Sequence, residues 1–233
     1  MTLLALALAA QLAQTRTAHV EHLKVDVPEV GTVTYGLAVP GDYDASRPRP
    51  LVLTLHPGGS GAYYGSWYME SIVIPALKQL DAIMIAPDCP GRGWAEAKSE
   101  RAVLALVDKI FSDYSIDRRR VLVTGYSMGG RGTWFFSSHH ADLFTGAIAM
   151  AASTGDEPVD RLGRIPTYII HSRDDQVSPF APAERNARQL ESLGRPVTFE
   201  ALRGLTHFEM GGYIESLTRA GRWIAARWNS RAE

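Results

Sequence analysis

The sequence is short of cysteine, of net charge and of long hydrophobic runs, and each shortage excludes a class of protein. Cys89 is the one cysteine among 233 residues, so no intrachain disulfide can form. The formal net charge is −1 at pH 7, which gives no strong field to attract nucleic acid or an anionic membrane surface. No stretch approaches the run of about 20 apolar residues that a membrane-spanning helix needs. We therefore expect no nucleic-acid partner and no membrane span.

Motifs for metal and nucleotide chemistry are also missing. The sequence contains no H-E-x-x-H and no group of Cys and His residues at metal-ligand spacing. Its glycine-rich loop, residues 56–61, lacks the G-K-S/T ending of a phosphate-binding P-loop. We therefore predict neither a metal site nor another cofactor.

The N-terminus allows two interpretations. Residues 3–13 form an apolar run rich in Ala and Leu, and Ala7 and Ala9 have the small-x-small spacing of a signal-peptide cleavage site. No Lys or Arg precedes this run, and it is short for a secretory signal. Residues 1–19 are accordingly predicted to be either an N-terminal extension or a signal segment. The protein is cytoplasmic in the first case and secreted or periplasmic in the second, if residues 1–13 act as the signal.

Residues 20–233 have the length of one domain and alternate short apolar strands with helical segments. Near-continuous apolar strands between helices indicate an α/β fold, with a mostly parallel sheet covered by helices on both faces. Ligands of such folds bind beyond the carboxyl ends of the strands. Strands are predicted at residues 33–39, 51–55, 83–86, 121–124, 147–151, 167–170 and 197–201, and helices at residues 72–80, 96–114, 128–138, 183–193 and 214–228.

The strongest chemical signal is the G-x-S-x-G pattern at residues 125–129. It follows an apolar strand and precedes a helical run, which is the context of a nucleophile turn. Such a turn holds the serine at strained backbone angles, and the flanking glycines avoid collisions with neighbouring backbone. We predict that Ser127 is a nucleophile, the alternative being a structural serine in a glycine-rich turn.

A serine nucleophile needs a base, and the base needs an orienting carboxylate. In folds with this turn the chain order is Ser, then Asp or Glu, then His. Asp174 and Asp175 follow the strand at residues 167–170, and Asp175 is favoured because its D-x-V-x-P tail is usual around such an acid. Of the seven histidines, only His207 follows these carboxylates, so it is the predicted base.

The glycine-rich loop at residues 56–61 follows the strand at residues 51–55. An ester or amide reaction forms an oxyanion, which preorganised N–H donors must stabilise. Gly58 or Gly59 is predicted to supply one backbone N–H, and Met128 the other. Pro57 has no N–H to give.

The substrate pocket is less well marked. An aromatic-rich stretch at residues 63–68 follows the glycine-rich loop, and it is either a pocket wall or core packing. From this stretch Tyr63 is predicted to contact the substrate. Tyr126, directly before the nucleophile, is predicted to do the same.

From about Lys24 onward the chain resembles the α/β-hydrolase superfamily, especially its lidless serine esterases and prolyl-oligopeptidase-like predicted peptidases. The matching segments are residues 50–56, 117–130 and 132–134, the Asp175 loop and His207. The resemblance implies a three-layer fold with a sheet of about eight strands and an acyl-enzyme mechanism. The family's H-G-G or H-G-x signature reads His56-Pro57-Gly58 here, which leaves open whether Gly58 or Gly59 is the donor. Dienelactone hydrolases are also similar, but they use cysteine where this chain has Ser127.

The expected function is therefore a serine hydrolase with a catalytic triad of Ser127, His207 and Asp175 that cleaves a small-molecule carboxylic ester. A serine peptidase acting on small peptides is the first alternative. A non-catalytic binding protein on the same fold is the second. The sequence does not specify the oligomeric state.

Overall fold

The computed structural model describes residues 19–155, 158–162 and 164–230, and its centre is one eight-stranded sheet. Strands β3 to β8 run parallel, whereas β1 pairs with β2 and β2 with β4 in antiparallel fashion. The spatial order is β1-β2-β4-β3-β5-β6-β7-β8. The strands are β1 (Val20–Val27), β2 (Gly31–Ala38), β3 (Arg49–Leu55), β4 (Ile83–Pro87), β5 (Ile116–Tyr126), β6 (Gly146–Met150), β7 (Thr167–Ser172) and β8 (Val197–Leu202).

Six α-helices accompany the sheet in the described ranges. They are α1 (Tyr64–Tyr68), α2 (Ile74–Leu77), α3 (Ala97–Asp113), α4 (Met128–His139), α5 (Phe180–Ser192) and α6 (Ile214–Asn229). A π-helical turn, Met69–Val73, joins α1 to α2, and a 3-10 turn, Lys78–Leu80, follows α2. Two further 3-10 turns are Val159–Leu162 and Met210–Tyr213.

The helices cover both faces of the sheet. Helices α1, α2 and α6 bury their apolar side chains against one face, where Leu217 and Ile224 of α6 meet Ile148 of β6. Helices α3 and α4 pack on the other face, where Leu106 and Phe136 lie in one cluster with the sheet. Helix α5 joins α4 there through a smaller cluster. The predicted fold class, a three-layer α/β-hydrolase fold with a mostly parallel sheet, is confirmed.

Two helical segments and two strands differ from the prediction. Helix α1 was not predicted, and the helix predicted at residues 72–80 is the end of the π-helical turn, then α2 and a 3-10 turn. Strand β1 has no counterpart among the predicted strands, because it is an edge strand with mostly exposed or half-exposed residues and pairs only with β2. Strand β5 starts at Ile116, five residues before the predicted strand at residues 121–124, so Arg118 to Arg120 belong to its mostly exposed or half-exposed first half. A register shift between Arg49 and Leu51 of β3 accommodates this extension.

The described residues leave some expectations untested. Residues 1–13, on which the signal-segment hypothesis depends, lie outside the described ranges. The division into residues 1–19 and a single domain at 20–233 stays a prediction. Within the described part of the chain, no helix combines the length and apolar character needed to cross a bilayer.

The parallel strands bring four sequence-distant loops to one edge of the sheet. His56 follows β3 and Ser127 follows β5, while Asp175 follows β7 and His207 lies in the loop after β8. Because β3, β5, β6, β7 and β8 are consecutive neighbours, their carboxyl ends lie side by side. A functional site is therefore expected at this edge of the sheet.

Candidate active site

The turn between β5 and α4 holds Ser127 in a rare backbone conformation, with φ 54° and ψ −112°. The backbone packs so closely around the two flanking positions that only glycine fits there. A side-chain carbon on Gly129 would lie 1.9 Å from the carbonyl oxygen of Leu55, and one on Gly125 would lie 2.4 Å from the Gly129 carbonyl. The Ser127 N–H donates to the Met150 carbonyl at 3.0 Å, which fixes the turn to β6. The strain at this position is therefore held in place by backbone packing on both sides.

Three side chains from different loops meet at this turn. The Nε2 atom of His207 lies 2.7 Å from the Oγ atom of Ser127. The Nδ1 atom of the same imidazole lies 2.7 Å from the Oδ2 atom of Asp175. A carboxylate accepts only, so Nδ1 carries the hydrogen and Nε2 is left free to accept the serine proton. His207 and Asp175 are both buried, which strengthens their interaction.

Asp175 is fixed by its own loop. Its second oxygen, Oδ1, accepts the backbone N–H groups of Val177 at 2.9 Å and Ser178 at 2.7 Å. The neighbouring Asp174 is exposed and accepts the Gly204 N–H at 2.6 Å, which ties the acid loop to the loop that carries His207. Of the two candidate carboxylates, the structure brings Asp175 to the imidazole.

A second histidine lies behind this acid. His171 is completely buried, and its Nε2 atom lies 2.8 Å from the Ser178 carbonyl oxygen and 3.7 Å from Asp175 Oδ2. Burial lowers the pKa of His171, so the ring is neutral near pH 7. Sequence reasoning gave this residue no role, although its place directly before the acid loop was the available signal.

The glycine-rich loop is held by the ring of His56. Its Nδ1 atom lies 2.6 Å from the Pro57 carbonyl oxygen, and its Nε2 atom accepts the Cys89 N–H at 3.0 Å. The indole of Trp94 donates to the His56 carbonyl oxygen at 3.0 Å. Burial lowers the pKa of His56, and the neutral ring satisfies both contacts in the tautomer with the hydrogen on Nδ1. The loop is thus fixed by partners from the segment after β4.

The predicted oxyanion donors belong to the start of α4 and to the glycine-rich loop. Met128 begins α4, so its N–H is one of the first-turn donors that have no partner inside the helix. At Gly58 a side-chain carbon would meet open space within 4 Å. Gly59 has φ 153°, and a side-chain carbon there would lie 2.6 Å from the ring of Tyr64. The choice between Gly58 and Gly59 stays open, as predicted.

Asp88 organises the aromatic stretch that follows the loop. Its carboxylate accepts the N–H groups of Tyr63 at 2.5 Å and Gly65 at 2.8 Å, and it also bonds the Thr34 hydroxyl. The Tyr63 ring stacks on His22 of β1, with centroids 4.5 Å apart. The contacts that place Tyr63 are therefore with the edge of the sheet.

Tyr64 lies against the glycine-rich loop, and Trp67 stacks on Tyr64. The Tyr64 ring meets His56 edge-on at 5.0 Å and stacks on Trp67 at 5.5 Å. Trp67 is 46% exposed, so the stack continues from the loop to the surface. The sequence did not distinguish whether these two residues form a pocket wall or pack in the core.

Tyr126 is placed differently from the prediction of a substrate contact. Its side chain is only 1% exposed, because the last residue of β5 points down into the core. Its hydroxyl donates to the backbone carbonyl of His207 at 2.8 Å. The expected substrate contact at Tyr126 is thus replaced by a contact with the loop that carries the imidazole.

Two exposed apolar side chains belong to the loops that carry His207 and Asp175. Phe208 is 76% exposed, and its ring meets His207 edge-on with centroids 5.8 Å apart. Val177, two residues after Asp175, is 54% exposed. Neither was singled out from the sequence, although each is within two residues of a predicted triad member.

Comparison with known proteins gives relatives but no family model, since none matches the chain. A probable feruloyl esterase C from Aspergillus niger is 30% identical over 170 residues, which cover 66% of this chain and 59% of that protein. A feruloyl esterase C from Emericella nidulans is 27% identical over 165 residues with the same coverage. The chain spans about three-fifths of the length of these curated relatives.

Solved structures with the same fold extend the comparison. A thermostable esterase superposes with a TM-score of 0.71 at 26% identity, covering 91% of this chain and 61% of that one. The fluorophosphonate-binding serine hydrolase FphF from Staphylococcus aureus superposes with a TM-score of 0.72 at 17% identity, covering 89% of this chain and 98% of that one. The resemblance read from the sequence is confirmed: the chain has the α/β-hydrolase fold and is similar to these esterases.

Proposed function

We propose that this chain is a serine hydrolase that cleaves carboxylic esters through an acyl-enzyme intermediate. The observation that carries the proposal is the continuous hydrogen-bond chain from Ser127 through His207 to Asp175, with 2.7 Å at each link. A serine hydroxyl ionises too little near pH 7 to attack an ester unaided. An imidazole at hydrogen-bond distance, oriented by a carboxylate, is the arrangement that overcomes this.

In acylation, Ser127 Oγ attacks the ester carbonyl carbon while His207 Nε2 takes the hydroxyl proton. Asp175 stabilises the resulting imidazolium through the bond to Nδ1 and stays ionised itself. When the tetrahedral intermediate collapses, the alkoxide leaving group receives the proton from Nε2. An alcohol departs, and the acyl group stays on Ser127.

Deacylation repeats these steps with water as the nucleophile. His207 Nε2 removes a proton from the water, the hydroxide attacks the acyl carbon, and the proton returns to Ser127 Oγ as the acid leaves. Both intermediates place negative charge on the former carbonyl oxygen. The N–H of Met128 and that of Gly58 or Gly59 are the proposed donors to that oxygen, and the N-terminal end of α4 adds a favourable dipole.

We propose esters with an aromatic acyl group as the favoured substrates. The curated relatives are named feruloyl esterases. In this chain Phe208 beside His207, and Trp67 at the outer end of the stack that begins at the glycine-rich loop, expose aromatic surface that can pack against a planar ring. Small alkyl esters lack that surface and are expected to bind more weakly.

The test compares hydrolysis of methyl ferulate and p-nitrophenyl acetate by the wild type, Ser127→Ala and Ser138→Ala. Ser138 is a matched control, since it lies in α4 and its hydroxyl bonds only neighbours in that helix. Ser127→Ala is expected to lower kcat by about 10⁴-fold or more, as for other triad nucleophiles, and Ser138→Ala to leave kcat near wild type. Equal rates for the wild type and Ser127→Ala would overturn the proposal, and hydrolysis of anilides but not esters would favour a peptidase.

A further inference from the structure

The loop that carries His207 is anchored from below by Tyr126. The Tyr126 hydroxyl donates to the His207 backbone carbonyl at 2.8 Å, and the two rings lie 5.4 Å apart. Tyr126 is the residue directly before Ser127, and it ends strand β5. The buried Tyr126 side chain therefore fixes the distance between the nucleophile turn and the backbone of His207.

Tyr213 links Tyr126 to the acid loop, which follows β7 and carries Asp175. Its ring packs edge-on against Tyr126 with centroids 5.0 Å apart, and its hydroxyl accepts the Ser172 N–H at 3.1 Å. Ser172 ends β7, three residues before Asp175. Both tyrosines are at most 1% exposed, and burial raises the pKa of each hydroxyl, so both stay protonated across the neutral range.

We propose that Tyr126 and Tyr213 form a buried tyrosine bridge that positions His207 between Ser127 and Asp175. The inference rests on the proposed serine hydrolase function and adds two positioning residues to it. Neither tyrosine touches the reacting atoms. Tyr126 acts through the backbone carbonyl of His207, and Tyr213 acts through Ser172, where the acid loop begins.

The other side-chain hydrogen bonds of the base loop, residues 203–209, lie mostly at the surface. The loop starts with Gly204 at φ 75°, and within it Glu209 accepts the Thr206 N–H and hydroxyl, each at 2.7 Å. Its ties to the acid loop are the Asp174 bond to the Gly204 N–H and the Gln176 side chain at 3.3 Å from the His207 N–H. Both of those partners are exposed residues of the acid loop. The Tyr126 bond is the buried one, and a buried hydrogen bond restrains its partner more than an exposed one does.

A matched control lies in the same core cluster. Tyr68 is also completely buried, but its hydroxyl has no hydrogen-bond partner among the described residues. Tyr68→Phe therefore removes the same atom from the same core without removing a hydrogen bond. Tyr126→Phe removes the atom and the bond, and leaves the ring in place.

The experiment measures kcat, KM, the pH dependence of kcat/KM and the downfield proton NMR signal of the His207 Nδ1–H in ¹⁵N-histidine protein. His207→Gln assigns that signal. For Tyr126→Phe we expect kcat to fall at least about tenfold with KM within twofold of wild type, since small misplacements of a catalytic group cost up to about 10²-fold in rate. The downfield signal and the pH profile are expected to shift as well. Tyr68→Phe is expected to match the wild type in all four measurements.

Tyr213→Phe is the second variant, used also if Tyr126→Phe does not fold, and we expect a smaller loss of kcat with a displaced signal. If both variants keep the wild-type kcat, pH profile and signal, the bridge is wrong. If the wild type and Ser127→Ala hydrolyse esters equally, the proposed function fails instead. The NMR signal still tests the bridge in that case, because it reports the His207–Asp175 bond without turnover.

Discussion

The two halves of the candidate site are built in different ways. In the triad half, the groups proposed to do the chemistry bond each other directly, from Ser127 to His207 to Asp175. In the oxyanion half, the proposed donors are backbone N–H groups. The glycine-rich loop is shaped by side chains with no chemical role, chiefly His56 and Trp94. Side-chain chemistry can be recognised in a sequence, whereas the support of a backbone donor comes from distant residues.

The largest effect is expected from breaking the triad half at its acid. Asp175→Asn is expected to lower kcat by about 10⁴-fold, because the amide favours the wrong imidazole tautomer. Asp174→Asn is the matched control, since the exposed Asp174 side chain accepts the Gly204 N–H, whereas Asp175 bonds the imidazole. The measurement is kcat for methyl ferulate. Similar losses in the two variants would contradict the assignment of Asp175.

The oxyanion half is expected to be the next most sensitive. His56→Leu removes the acceptor of the Cys89 N–H and the donor to the Pro57 carbonyl, so the loop loses its fixed shape. Loss of one oxyanion donor costs about 10²- to 10³-fold in kcat, and we expect a loss of about 10²-fold here. His139→Leu, an exposed histidine at the end of α4, is the control. An unchanged kcat in His56→Leu would show that the loop does not depend on this ring.

The sequence singled out the three side chains that the structure brings together, for a physical reason. Ser127, Asp175 and His207 are polar residues in loops after apolar strands, and their chain order narrows the choice to one histidine. The strands themselves were found because most are continuous buried apolar runs, as in β3 and β6. Strand β1 was missed because its residues are mostly exposed or half-exposed and it pairs with one neighbour only.

The orientation of side chains was not predictable in the same way. Tyr126 stands next to Ser127 in the sequence, yet its side chain points into the core because it belongs to the strand and Ser127 to the turn. Tyr63 and Tyr64 are adjacent, yet one stacks on His22 and the other meets His56. These differences depend on tertiary contacts that the local pattern does not encode.

The buried histidines His56 and His171 lead to a prediction about how stability depends on pH. Burial lowers the pKa of His56 and His171, so the folded protein resists protonation that the unfolded chain accepts. Stability is therefore full above the unfolded histidine value of about 6.5 and falls as the pH drops below it, by up to about 1.4 kcal/mol per pH unit for each histidine. The measurement is urea unfolding at pH 7.5, 6.5 and 5.5. His171→Gln is expected to reduce the slope by about half, and an unchanged slope would rule His171 out as a source.

The smallest effect is expected at the exposed apolar rim of the triad half. Phe208→Ala is expected to raise KM for methyl ferulate about fivefold, because an aromatic pair contributes about 1 kcal/mol, with KM for p-nitrophenyl acetate little changed. Leu193→Ala, which removes an exposed apolar side chain after the end of α5, is the control. Equal changes for the two esters in Phe208→Ala would argue against a ring-binding role.

The most direct test of the central claim is covalent capture of the nucleophile. The protein is treated with a fluorophosphonate, and the adduct is located by intact-protein and peptide mass spectrometry. We expect one adduct per chain, on Ser127, that is absent from Ser127→Ala and forms far more slowly in His207→Ala. An adduct on any other residue, or a wild type that stays unmodified, would contradict it.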